Sequence, residues 1–387
     1  MKKIIASLVA ASLLSFAAVA EENEGLSVKG YLRAGMSDTI ENSVYSTNKW
    51  VQGGYFGGGT RLRVNIDYTK AFGGVTFRYQ VDPVFDTESV EIDKKSTGNI
   101  GDVNTSTSEK GGATKDVRKS SLDFFKESNV KWAMGYANLL DGQVIAEAGI
   151  ISDRFTKTGG WEDTGIDGGK GFRVVVVPKA VAGLTVAAQA TDKYADKYAA
   201  DDDKVKDGKA LEGDIKFDEK IFGFSAKYEA KPFFVTAGAA LAGYYYGSVG
   251  LTAIENLTLV GEVFHNATDA NKAENGDNAT TMLVAWAEYT GIEKVLAGAY
   301  SYINLCDGEY SIEITPAVSY DVNSLLKVSG EASIYLSSDD KADTYATISP
   351  AVTFKASDKA TATVSALIST DTDQAKHAAS AGVRYNF

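Results

Sequence analysis

From residue 26 to residue 387 the chain keeps returning to one pattern, runs of about ten residues in which apolar and polar side chains alternate. In the clearest run, Tyr310, Ile312, Ile314, Pro316, Val318 and Tyr320 share one face. Ser311, Glu313, Thr315, Ala317, Ser319 and Asp321 share the other. A repeat of two is the period of a strand, whose successive side chains leave opposite faces; a helix repeats at 3.6. The next run sets Leu326, Val328, Gly330, Ala332, Ile334 and Leu336 against Lys327, Ser329, Glu331, Ser333 and Tyr335. Earlier, Arg61, Arg63, Asn65 and Asp67 oppose Leu62, Val64, Ile66 and Tyr68. Charges on one face suit a wet lumen, and apolar residues on the other suit lipid. The last eight residues follow the same rule, with Ala381, Val383, Tyr385 and Phe387 on one side and Ser380, Gly382, Arg384 and Asn386 on the other. A strand that ends on an exposed apolar edge is a hazard to a soluble sheet, but it is what a closed membrane barrel requires of the strand that meets its first.

Counting such runs predicts an all-β protein: an antiparallel transmembrane β-barrel of eighteen strands, with sixteen as the alternative. The expected strands lie near 26–37, 59–70, 73–85, 129–138, 142–151, 170–178, 182–191, 211–219, 222–230, 234–252, 256–265, 280–289, 292–303, 309–320, 324–336, 343–355, 360–370 and 377–387. An even count brings both termini to one side. Short turns at 71–73, 139–142, 179–183 and 321–323 would be periplasmic. Long connections at 38–58, 86–128, 152–169, 192–210 and 266–279 would face outward, and their Asp-, Ser/Thr- and Gly-rich composition cannot form a core. Asp201, Asp202 and Asp203 fall in one of them as a solvated acidic stretch whose spacing matches no calcium loop.

The first twenty residues read as an export signal. Lys2 and Lys3 precede an apolar stretch from Ile4 to Ala17, and Ala18-Val19-Ala20 supplies the small-x-small cleavage pattern. The mature protein would begin at Glu21 as a single barrel domain spanning 21–387. After residue 20 no apolar run is long enough for a membrane-spanning helix.

Composition excludes several functions. The formal charge is −12, and loss of Lys2 and Lys3 makes the mature chain more acidic still, which speaks against nucleic acid as a partner. With one cysteine, Cys306, no internal disulfide can form. Only His265 and His377 could serve as imidazole bases, and neither stands in a recognisable nucleophile or metal-ligand motif. No enzyme, metal or cofactor is expected.

Particular residues carry a family resemblance. The C-terminal segment, with Gly382, Tyr385 and Phe387, resembles the assembly signal of bacterial outer-membrane barrels, which implies the barrel-assembly machinery as a partner. Val28-Lys29-Gly30-Tyr31-Leu32-Arg33-Ala34-Gly35 resembles the first strand of the trimeric general diffusion porins of Gram-negative outer membranes. Thr60-Arg61-Leu62 resembles the opening of their second strand. Gly171-Phe172-Arg173, Pro178-Lys179 and Gly183-Leu184 resemble the strand that returns after their third outer loop.

The resemblance implies a homotrimer in the cell outer membrane, embedded in lipid, passing ions and small hydrophilic solutes passively. It also implies that the third loop, here 152–169, folds into the barrel. The loop acids would be Asp153, Glu162, Asp163 and Asp167, and the basic wall facing them Arg33, Arg61, Lys131 and Arg173. Opposed charged walls would set a transverse field across the constriction. The loop is short for the family, and a loop that does not reach across would leave a wider pore. The acidic total favours cations and the inward arginines favour anions. Two rivals stand beside this reading: a sugar-specific channel using Trp161, Tyr194 and Tyr198, and a surface adhesin using 86–128.

Overall fold

The computed structural model describes residues 25–39, 42–46, 61–81, 84–90, 117–123, 128–166, 168–192, 222–338, 344–372 and 377–387. Their strands, in chain order, are β1 (Leu26–Thr39), β2 (Asn42–Ser46), β3 (Arg61–Lys70), β4 (Gly73–Val81), β5 (Val84–Val90), β6 (Val117–Asp123) and β7 (Ser128–Leu139). Then come β8 (Val144–Ile150), β9 (Lys170–Val176), β10 (Leu184–Thr191), β11 (Phe222–Ala230), β12 (Phe233–Ala240), β13 (Tyr244–Ile254) and β14 (Leu257–Asn266). The last are β15 (Thr280–Tyr289), β16 (Val295–Cys306), β17 (Glu309–Asp321), β18 (Leu326–Ser337), β19 (Tyr345–Lys355), β20 (Ala360–Ser369) and β21 (Ala378–Asn386). One short helix, α1 (Asp269–Glu274), lies between β14 and β15, with Thr268 accepting the Asn271 N–H as its N-cap.

Eighteen of these strands form one closed antiparallel ring. Each pairs with its neighbours in the chain, and β1 closes the ring by pairing with both β3 and β21. Phe387 completes the seam: its backbone N–H and C=O each bond Gly30 at 3.0 Å. Closure leaves no open edge, the condition for placing a sheet in lipid. The other three strands stand outside the ring. β2 pairs only with the end of β1, and β5 and β6 form a separate hairpin.

Inside and outside are inverted relative to a soluble protein. Val186, Val249, Ile348, Val364 and Val383 are exposed on the outer face. Thr236, Thr315, Ser349 and Ser365 are buried toward the lumen. Hydroxyls bridge adjacent strands there, Thr315 to Ser333 and Ser365 to Ser380 at 2.7 Å.

The count of eighteen agrees with expectation, but its parts do not. The segment 211–219 lies outside the described residues, and the ring closes without it because β10 pairs directly with β11. The expected single strand 234–252 is two strands, β12 and β13, joined through Leu241–Gly243. The turn bond runs from Gly243 N to Ala240 O at 3.0 Å, with Gly243 at φ +104°. Its apolar residues conceal it in a reading that looks for polar turns. The turn at 231–232 consequently lies at the same end as 71–72. Among the described residues no helix is long and apolar enough to cross a membrane. Residues 1–20, and the export signal expected there, lie outside the description.

Candidate functional site

The segment between β8 and β9, residues 151–169, turns into the barrel. Its stem is held by charge. Glu147 and Arg173 face each other in register on β8 and β9, both with fully buried side chains, and pair at 2.6 Å. Arg154 of the loop donates from Nε to the other Glu147 oxygen at 2.9 Å and lies over the rings of Tyr136 and Phe155. One buried carboxylate therefore ties two arginines, and through Arg154 the loop, to the wall.

The loop is also folded on itself. Thr156 Oγ1 donates to the Ile166 carbonyl at 2.8 Å, and Thr158 N–H to the Thr164 carbonyl at 2.9 Å. Lys157 pairs with Asp163 at 2.9 Å, and Asp163 accepts the Gly159 N–H at 3.0 Å. Glycines permit this compaction. A methyl at Gly165 would stand 1.7 Å from the Thr156 carbonyl oxygen, and one at Gly160 would meet the Glu262 carboxylate at 2.2 Å.

The tip latches onto wall strands well away from the stem. Thr158 donates its hydroxyl to Glu262 on β14, and its carbonyl accepts from Ser248 on β13 at 2.8 Å. The Glu162 N–H donates to the second Glu262 oxygen at 3.0 Å. Ile166 packs into a buried cluster with Ala240, Tyr246, Phe264 and Val284. Trp161 stacks on Tyr300 of β16, centroids 4.5 Å apart, and lies 6.0 Å from Trp286 of β15. The loop thus runs along the inner wall from β9 round to β16. The short loop therefore follows the wall and does not bridge the open lumen.

A basic surface covers another sector. Arg384 on β21, Arg33 on β1 and Arg61 on β3 are consecutive register partners, three like charges side by side. Arg33, Arg63 and Arg384 surround the Tyr31 ring at 5.6, 5.5 and 4.6 Å from its centroid. Arg78 on β4 lies 3.5 Å from the Trp132 centroid. Arg63 and Arg78 are held by amide oxygens, of Gln80 at 2.7 Å and of Asn65 at 2.5 Å, and not by carboxylates. Their direct hydrogen bonds orient them, and Asp67 and Asp153 act on Arg78 from farther off.

Of the expected basic residues, Arg33 and Arg61 come together here, joined by Arg63, Arg78 and Arg384. Arg173 points inward as expected but is closed off against Glu147, so it anchors the loop. Lys131 is the extra residue of a bulge between the pairs Arg78–Trp132 and Tyr79–Val130; alternation cannot assign its face across a bulge.

Of the expected acids, Asp153 sits at the stem, 4.0 Å from Lys157 and within electrostatic reach of Arg78 and Arg173. Asp163 is spent inside the loop, and the Glu162 side chain lies against Tyr302. Asp167 lies outside the described residues, as do Tyr194, Tyr198 and Asp201 to Asp203. Gly382, Tyr385 and Phe387 lie along the seam strand. Glu147 and Glu262, which hold the loop, carry no motif; only the strand register reveals them. His265 bonds the Thr281 hydroxyl at 2.9 Å and stacks on Tyr245, and His377 accepts the Ser369 N–H at 3.1 Å.

A closed, eighteen-strand antiparallel ring, apolar outside and polar inside, is the architecture of a transmembrane β-barrel. No protein-family model matches the sequence, and no curated protein does. Among solved structures the chain is similar to OprB of Pseudomonas putida in its low-pH structure, with TM-score 0.50 and 8% identity over 94% of this chain and 93% of that one. It is also similar to a loop L8 deletion mutant of the Vibrio cholerae outer membrane protein OmpT, with TM-score 0.46 and 13% identity over 94% and 99%. A third likeness is to the outer membrane channel DcaP of Acinetobacter baumannii, at TM-score 0.45 and 10% identity. At these identities the likeness is one of fold.

Proposed function

We propose that the protein is an outer-membrane porin, a passive channel for ions and small hydrophilic solutes. The observation that carries this is the row Arg384–Arg33–Arg61 on an inner wall whose other sector holds Glu313 and Glu331. Like charges in register cost sheet stability. In a wet lumen they face a passing solute, and opposed basic and acidic sectors orient a dipolar one. The inward loop narrows the passage. No catalysis or cofactor enters this account.

Export by the 1–20 signal, insertion by the barrel-assembly machinery and assembly as a homotrimer in lipid belong to the same reading. A shallow apolar depression of about 530 Å³ on the outer face, floored by Gly261, Ala285 and Ala299, gives the barrel a surface where another wall could approach closely. The sugar-specific alternative draws on Trp161 alone among its three expected residues.

Swelling of proteoliposomes in isotonic solutes tests the proposal. Rates should fall smoothly as solutes grow from pentose to trisaccharide. Swelling confined to one sugar series would favour the specific channel, and none at all would contradict a channel.

A further inference from the structure

Four adjacent strands place Tyr302 (β16), Glu313 (β17), Tyr335 (β18) and Tyr345 (β19) in one continuous register row on the inner wall. Tyr335 and Tyr345 stack with centroids 4.4 Å apart and planes 13° from parallel. Tyr302 meets Tyr300 edge-on at 5.4 Å, and Tyr300 stacks on Trp161 of the loop. Tyr345 opens β19 at the end of the barrel that carries the long connections, and Trp161 lies at the loop tip. The row is therefore a strip of rings descending from that mouth to the narrowing. Apart from Tyr300 the rings are half-buried, each keeping part of its surface toward the lumen.

The strip is electronegative as well as aromatic. Glu313 accepts hydroxyls, from Tyr300 and from Thr315 at 3.1 Å each, and among the described residues no cation pairs with it. The charged groups acting on the four tyrosines are Glu162, Glu313, Glu331 and Asp371, carboxylates throughout. Ring faces carry a negative quadrupole, so rings and carboxylates attract the same sign of charge. A neutral sugar would use the rings and gain nothing from that charge. An inorganic cation would use the carboxylates and make little of the rings. A solute that uses both is an organic cation.

Resting on the channel reading above, we propose that this strip binds organic ammonium ions, amines carried on an alkyl or aryl body, and concentrates them at the mouth ahead of the loop. Trp161, Tyr302, Glu313, Tyr335 and Tyr345 are the residues that select them.

The test is block of single-channel current through the full-length protein. The probes are 2-phenylethylammonium, its uncharged counterpart 2-phenylethanol, and maltotriose. The ammonium should interrupt the current at concentrations about tenfold below the other two, and Glu313→Gln or Tyr335→Leu should each weaken block by roughly fivefold to thirtyfold, the span from a half-exposed to a desolvated contact with a cation. Should a variant fail to fold, by heat-modifiable migration, the comparison of charged and uncharged probes on the unaltered protein decides alone. Equal block by all three probes, block by maltotriose only, or no block with conductance intact overturns the strip and leaves the channel reading standing. Absence of conductance from the folded barrel overturns both.

Discussion

Arg33 stands between Arg61 and Arg384 with no carboxylate in the row, an arrangement that a sheet built for stability alone would avoid. Much of this cluster is legible in the sequence. Arg63 lies two residues from Arg61 on the same polar face, and Arg384 lies on the polar face of the last run. What the sequence hides is that closure brings β1, β3 and β21 side by side, since no local pattern encodes a seam. Arg173 shows the opposite limit: its inward direction follows from alternation, but its neutralisation by Glu147 follows from register across β8 and β9. Replacing both Arg33 and Arg61 by glutamine removes two positive charges from the lumen. Each is worth about 1 kcal/mol to an ion at contact in a watery medium. The cation-to-anion permeability ratio should therefore rise several-fold in reversal-potential measurements; an unchanged ratio would mean that the cluster does not meet the permeating ions.

Strands were the most legible elements because a wet inner face and an apolar outer face impose strict alternation. The pattern is hidden where a turn is apolar, at Leu241–Gly243, and alternation assigns no face where a bulge falls, at Lys131. The loop 152–169 is identified by position in the sequence, but its path is not, because Thr158, Glu162 and Trp161 find their partners across strands far away in the chain. Glu262 is the central partner, accepting from both the Thr158 hydroxyl and the Glu162 N–H. Glu262→Gln keeps the volume but leaves one carbonyl oxygen where two carboxylate oxygens stood. A bond to a charged acceptor is worth about 1.5–3 kcal/mol, so the tip should detach part of the time. Open-channel noise should increase, and trypsin should cleave after Lys157 faster than in the unaltered protein. Equal noise and equal cleavage would contradict the latch.

The molecule as a whole is a ring whose two faces answer to two solvents. Its apolar exterior needs no core beneath it, and its interior hydroxyls and charges need only water or each other. The formal charge of −12 belongs to the full chain, whereas the inner surface is divided between an arginine sector and a carboxylate–aromatic sector. Selectivity should accordingly follow the local sectors more than the net charge. The most direct test of the central claim is single-channel recording of the purified, folded protein in a planar bilayer under a salt gradient. The account predicts stable, ohmic steps that close in threes, with a reversal potential that moves when Arg33 and Arg61 are replaced. A folded barrel that carries no current would contradict it.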